Sequence, residues 1–270
     1  MAEPVNEALF QLDGTFAQPS ELTRGPWMPD AQHGGPPSAL LTYLVESVVE
    51  SNQWIARMNV ELLAPVPLTT LTTSVRSERI SRRVAIAHAE LNSGDKPVAR
   101  ATGRLLTEVD VDISPDQPPE QARPVPGPER EKTAPSWAVG KDNLAFHRDA
   151  VRHRWEHGDF NDAGPAQCWQ RLSVPVVEGV DVTSHQRIMA VADIASGVSA
   201  IFMPSSGFGL INSDLDVSFL RPAIGMWIRT DATTRAGARG TGLCVNTLSD
   251  EAGPVAFGTQ TLLGRPFNFG

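Results

Sequence analysis

Apolar and polar residues alternate along most of the chain, and in two places a period near 3.6 residues takes over. Over residues 34–51, Ala39, Leu40, Leu41, Leu44, Val45 and Val48 fall at helical spacing, which predicts a helix. A second helix is predicted over residues 193–203, where Ile194, Ala195, Val198, Ala200, Ile201 and Phe202 imply burial on most sides. Four strand-like runs follow each helix. After the first they cover roughly residues 56–63, 69–80, 83–92 and 97–107, and after the second 212–220, 226–235, 240–249 and 254–263. Turn residues separate the last two runs of each set, Ser93-Gly94-Asp95 in one and Glu251-Ala252-Gly253 in the other. Further strand-like runs precede the helices at residues 10–16, 151–160 and 166–172.

The two sets are copies of one unit. PVARATGRLL at residues 97–106 and PVAFGTQTLL at residues 254–263 share six of ten positions at an offset of 157. The same offset relates Pro65 to Pro222, each closing a β-like run. A third match, Ser38-Ala39-Leu40 with Ser199-Ala200-Ile201, requires an offset of 161. Between the copies, residues 108–135 hold seven prolines and many charges with little apolar periodicity, the composition of an extended linker. The predicted division is residues 1–110, a linker over 111–136, and residues 137–270. One long helix against an antiparallel meander requires the sheet to wrap the helix, which makes this an α+β double hotdog. Its two sheets can pair edge to edge, with a ligand groove between the copies.

Charge narrows the choice of partners. A net charge of −8 leaves no basic stripe for phosphates, so no nucleic acid is expected. Arg79, Arg82 and Arg83 form the densest basic cluster, either a solvated turn or a small patch for the phosphates of a nucleotide-bearing ligand. No run approaches the roughly 18 apolar residues of a membrane helix, and the first ten residues lack signal-peptide order. Cys168 and Cys244 lie far apart with no zinc spacing, which favours buried thiols in a reducing cytoplasm. No metal or cofactor is expected.

The candidate chemistry is concentrated at the helix starts. His33, Gly34 and Gly35 enter the first helix, where free backbone N–H groups suit a developing oxyanion and glycines let a ligand approach. A Gly-Pro-rich turn is the structural reading of the same residues. Asp193 is a carboxylate embedded in an apolar stretch, so it should be functional or hydrogen-bonded, as a helix N-cap for example. Gln260 stands where the first copy has Gly103, either a sign of divergence around one working site or a solvent-facing sheet residue. His153, Glu156 and His157 fit the H-x-x-E-H pattern of some zinc peptidases, but the segment alternates like a strand, which would put both histidines on one face without helical geometry. No G-x-S-x-G occurs.

The second half resembles the acyl-CoA thioesterase II (TesB-like) double hotdogs through His185-Gln186, SDLDVSFLRP at residues 213–222 and GTQTLL at residues 258–263. The first half resembles that family's N-terminal hotdog through HGGPPSALL at residues 33–41. The resemblance implies hydrolysis of an acyl-CoA to a free acid and CoA by a water that an aspartate, a hydroxyl residue and a glutamine hold. The aspartate falls on Asp193 and the glutamine on Gln260. The hydroxyl position falls on Asn212, a departure from the pattern, and strand alternation turns the adjacent Ser213 to the opposite face. His33, Gly34 and Gly35 would bind and polarise the substrate carbonyl. Two alternatives follow from the same residues: a non-catalytic acyl-CoA or acyl-chain binder, suggested by Asn212, and a hotdog enoyl-CoA hydratase, suggested by the Asp30/His33 spacing. The resemblance also implies a homodimer of double hotdogs.

Overall fold

The computed structural model describes residues 7–110, 122–135, 142–203 and 206–266, and the strand-like runs of both halves form strands there. In the first half these are β1 (Phe10–Asp13), β2 (Phe16–Pro19), β3 (Gln53–Leu62), β4 (Leu71–Arg79), β5 (Val84–Ser93) and β6 (Lys96–Thr107). A hairpin about Gly14 splits the single strand predicted over residues 10–16 into β1 and β2. The second half holds β7 (Val151–His157), β8 (Ala166–Leu172), β9 (Phe208–Asn212), β10 (Asp214–Phe219), β11 (Ile228–Ala236), β12 (Thr241–Asp250) and β13 (Gly253–Pro266). Adding 157 carries β4 and β5 end to end onto β11 and β12, and the start of β6 onto β13.

All thirteen strands belong to one sheet, in the order β1-β2-β4-β5-β6-β3-β10-β13-β12-β11-β8-β7, with β9 added beside β13. The halves meet edge to edge where β3 pairs antiparallel with β10, from Asp214 opposite Glu61 to Ser218 opposite Arg57. Across that seam the Arg57 guanidinium holds Asp216, its Nε 3.0 and 2.9 Å from the two carboxylate oxygens. Linker residues run along the far edge. Glu131 bridges to Arg154 of β7, and Arg130 donates to the carbonyls of Trp155 and Glu156. This part of the linker is therefore docked and covers an otherwise open strand.

The helices differ from each other. The first is α1 (Gly35–Glu46), buried along most of its length in the curve of the first half-sheet. Pro36 and Pro37 are tolerated because first-turn N–H groups have no partner inside the helix. Small inward residues let the sheet close on it: Ala85, Ala87 and Ala89 of β5 are buried, and a Cβ on Gly103 of β6 would lie 2.7 Å from Val45. The second helix is not at residues 193–203. It is α2 (Ser184–Ala192), whose N-cap Thr183 accepts from the Gln186 N–H at 3.2 Å, followed by the single turn α3 (Ala195–Val198). Ser199 only caps α3, so the match at offset 161 does not join equivalent positions, while the two at 157 do. The helices α1 and α2 pack antiparallel inside one core that runs through both halves.

Candidate active site

The start of α1 meets the end of α2 through two glycines. A Cβ on Gly35 would lie 2.4 Å from the Ala190 carbonyl oxygen, so the helices approach here because no side chain intervenes. A Cβ on Gly34 would lie 2.5 Å from Asp193 Oδ1, so the carboxylate occupies the space that a side chain would need. Asp193 is 3% exposed and follows the last residue of α2. It is not an N-cap; both of its oxygens turn to other side chains. Oδ2 lies 2.5 Å from Nδ1 of His33, in the other half of the chain, and Oδ1 accepts from Nδ2 of Asn212 at 2.5 Å.

A 2.5 Å contact between a ring nitrogen and a carboxylate oxygen requires a proton between them. The Gly35 N–H also points at the same Nδ1, but from 3.3 Å, and yields to the shorter contact. His33 thus carries a proton on Nδ1, toward Asp193, and in the neutral ring Nε2 is the nitrogen that can accept. Backbone bonds fix the residue: the His33 N–H donates to the Thr23 carbonyl at 2.8 Å and that of Gln32 to Val66 at 2.7 Å. Its ring lies 5.2 Å from that of Phe146 and 6.0 Å from that of His147. Burial, with the neighbouring His33 second, pushes His147 down to about 3; burial pushes the deeper His153 down to about 4. Both are neutral at ordinary pH and add no competing charge beside His33. The part played by His147 left no sequence signal, since it lies outside every motif.

Gln260 faces inward and is fully buried, which removes the solvent-facing reading. Its Nε2 donates to the Asp193 carbonyl at 2.9 Å, and its Oε1 accepts the Ser196 N–H at 3.0 Å. It satisfies backbone groups left open where α2 stops and α3 begins, and it stands behind Asp193 rather than on the cavity wall. Asn212 lies on the wall beside His33, Gly34 and Asp193. At the helix start Pro36 and Pro37 carry no N–H, and Gly34 lines the cavity while Gly35 does not, so the Gly34 N–H is the helix-start donor placed beside a ligand. The cavity measures about 270 Å³, and beyond this polar corner its lining is mainly apolar, including Trp27, Met28, Phe160, Ile201, Phe202 and Leu210.

The opposite ends of α1 and α2 hold a related pair that is closed. Glu46 accepts from Thr183 Oγ1 and Gln186 Nε2, each at 2.6 Å, and lies 3.5 Å from His185 Nδ1. Here the His185 Nε2 meets the Ile55 carbonyl at 3.2 Å, and Trp54 and Phe219 flank the ring. The other candidates disperse. A bulge between Trp155 and His157 shifts the phase of β7, so His153 is buried while His157 is exposed; the two do not share a face as alternation alone predicts. Glu156 is engaged by Arg229 and Trp169, and no group of three His, Cys, Asp or Glu suited to a metal occurs among the described residues. Asp30 is exposed and is not the carboxylate that His33 meets. Arg79 pairs with Glu50 at 2.6 Å, and none of Arg79, Arg82 and Arg83 lines the cavity.

Known proteins carry the same organisation. The acyl-CoA thioesterase N-terminal domain matches residues 23–106 and the acyl-CoA thioesterase C-terminal domain matches residues 116–263. The chain belongs to the acyl-CoA thioesterase family. Within it the likeness is to the TesB-type double hotdogs, and the family makes this chain a thioester hydrolase. The tesB protein of Mycobacterium avium subsp. paratuberculosis is 14% identical with a TM-score of 0.66, covering 95% of this chain and 96% of that one. The acyl-CoA thioesterase II TesB2 of Mycobacterium marinum is also 14% identical, with a TM-score of 0.62 and coverage of 95% and 94%. A hot dog protein of Alicyclobacillus acidocaldarius reaches a TM-score of 0.71 at 15% identity, covering 95% of each chain. At these identities the solved structures establish the fold. No curated protein matches. Among the described residues of this thioesterase, no helix is long and apolar enough to cross a membrane.

Proposed function

We propose that this thioester hydrolase cleaves acyl-CoA to a free acid and CoA, with His33 as the base that activates water. The observation that carries this reading is the His33–Asp193–Asn212 constellation, placed at a polar corner of a mainly apolar cavity. Asp193 has both oxygens occupied, so it acts by holding the imidazole and the water contact passes to His33 Nε2. The water gives its proton to Nε2 as its oxygen bonds to the thioester carbonyl carbon. The carbonyl electrons move to oxygen, where the Gly34 N–H stabilises them. Collapse of this intermediate breaks the C–S bond, and the departing CoA thiolate takes the proton back from Nε2. Asp193 stabilises the transient imidazolium, Asn212 fixes the carboxylate, and Gln260 fixes the helix break that presents it. A thioester is already activated, so no covalent nucleophile is needed. The apolar cavity walls suit the acyl chain. Both cysteines are buried and unbridged, which suits a reducing cytoplasm.

The test follows free thiol released from a series of acyl-CoAs. His33→Gln and Asp193→Asn should each lower kcat/KM by about 10²–10⁴-fold, the usual reach of general acid–base catalysis. Rates within threefold of the parent in either variant would overturn the mechanism. Saturable binding without thiol release would make the protein a binder, and hydration of crotonyl-CoA without release would make it a hydratase.

A further inference from the structure

Three of the glycines on the cavity wall have different reasons to be glycine. A Cβ on Gly25 would lie 2.9 Å from the Gln32 carbonyl oxygen, and one on Gly34 would meet Asp193. At both places the protein itself fills the space that a side chain would need. Gly197 of α3 differs, because a Cβ there would meet nothing within 4 Å. Its backbone gives no reason for glycine either, since it lies within the helical turn and is not among the glycines with positive φ. Alanine is the better helix former, so glycine weakens this four-residue helix without relieving any contact. What the missing side chain does is keep the cavity open.

Gly197 stands one turn beyond Asp193. Asp193 and Ile194 keep helical dihedral angles between α2 and α3, so four residues advance the chain by about 6 Å and return it to the same face. Ala195 and Val198 are buried in the core on the other side, while Ser196, Gly197 and Ala200 line the cavity. The polar groups of this wall are already engaged. The Ser196 N–H donates to Gln260, the Gly197 N–H donates to the Ile194 carbonyl at 2.9 Å, and the Ala200 carbonyl accepts the Gly164 N–H at 2.9 Å. The Thr234 hydroxyl meets Ser199 Oγ at 2.7 Å. A pantetheine arm brings amides that need partners, whereas a hydrocarbon chain needs only apolar surface, which Phe160, Ile194 and Ile201 supply.

We infer that Gly197 sets the length of aliphatic acyl chain that the enzyme accepts, the chain running from the polar corner along α3 and passing over this residue. The inference rests on the acyl-CoA reading above and adds which wall takes the acyl group. With the thioester carbonyl beside His33 and Asp193, an acetyl group ends short of Gly197. The later carbons of a longer straight chain lie against it. A side chain at this position therefore takes space from those carbons and not from the reacting centre.

The test follows thiol release from acetyl-, butyryl-, hexanoyl-, decanoyl- and palmitoyl-CoA. In Gly197→Leu the ratio of kcat/KM for the longest chain the parent cleaves to that for the shortest should fall at least about tenfold, the low end of what one methylene is worth in an apolar pocket. Gly197→Ala should lower the same ratio by a smaller factor and serves if the leucine variant fails to fold. Its Tm should equal or exceed the parent's, because the added methyl meets no protein atom within 4 Å. Gly25→Ala, on the same wall but against backbone, should lower Tm and scale the rates at all chain lengths alike. An unchanged chain-length profile in the Gly197 variants, or an equal fall at every length, would overturn the inference. Calorimetric binding of decanoate separates it from the acyl-CoA reading. Without thiol release from any acyl-CoA, decanoate bound at least about tenfold more weakly by Gly197→Leu than by the parent would sink the hydrolytic reading alone. A parent that neither binds decanoate nor cleaves an acyl-CoA would sink both.

Discussion

Adding a single methyl group at Gly34 tests whether the carboxylate position sets the rate. The Cβ of Gly34→Ala would lie 2.5 Å from Asp193 Oδ1 and 2.9 Å from both Cγ and Oδ2. Ordinary van der Waals contact begins near 3.4 Å, so the carboxylate must retreat by about 0.9 Å. It has no slack, because His33 and Asn212 each hold it at 2.5 Å and it is 3% exposed. Overpacking of this kind costs about 1–3 kcal/mol of stability. A misplacement near 1 Å at a catalytic group costs about 10²-fold in rate, or about 2.7 kcal/mol of barrier. The expected outcome for Gly34→Ala is therefore a protein that still folds, with a modestly lower Tm and kcat reduced about a hundredfold. Gly35→Ala should differ in kind, because its Cβ would lie 2.4 Å from the Ala190 carbonyl and push backbone rather than a side chain. That variant should lose more stability than Gly34→Ala. Thermal unfolding and thiol release, measured on both, separate the effects. If Gly34→Ala kept kcat/KM within threefold of the parent, or lost activity only in proportion to its unfolded fraction, the assigned role of Asp193 would be wrong.

Two further expectations concern the groups behind the site. Gln260→Ala leaves the Asp193 carbonyl and the Ser196 N–H without their buried partner and opens a cavity. It should lower stability in urea by about 2–4 kcal/mol, and unchanged stability would show that the helix break does not depend on this amide. His147 and His153, with folded values near 3 and 4, stay neutral in the native state while the unfolded chain takes up protons below about 6.5. Unfolding then binds protons between pH 6.5 and about 4, so stability should fall with falling pH there, by about 1.4 kcal/mol per unit for each histidine. His153→Phe should flatten that slope; an identical slope would refute the assignment.

Local patterning determined a large part of this protein. Strand alternation depends on neighbouring residues alone, and it placed β4, β5 and β6 and their counterparts to within three residues at each end, while the repeat at offset 157 tied β6 to β13. It also marked Gln260 against Gly103 as one of four positions in that segment where the halves diverge. The apolar run after Asp193 misled, because hydrophobicity continues beyond the point where backbone bonding changes. The helix α2 ends at Ala192 because Gln260, from a strand 67 residues away, supplies partners for the interrupted backbone. His157 turned outward for a similar reason, since a bulge is defined by pairing with β8 and has no counterpart in the period of β7 itself. The pairing of His33 with Asp193 belongs wholly to the tertiary structure. The two lie 160 positions apart in different copies of the repeat, and they meet because α1 and α2 pack antiparallel across glycines. A chain can encode in its own periodicity which faces must be buried. Which buried groups then face one another is settled by packing, where the absence of a side chain at Gly34 matters as much as the presence of one at Asp193.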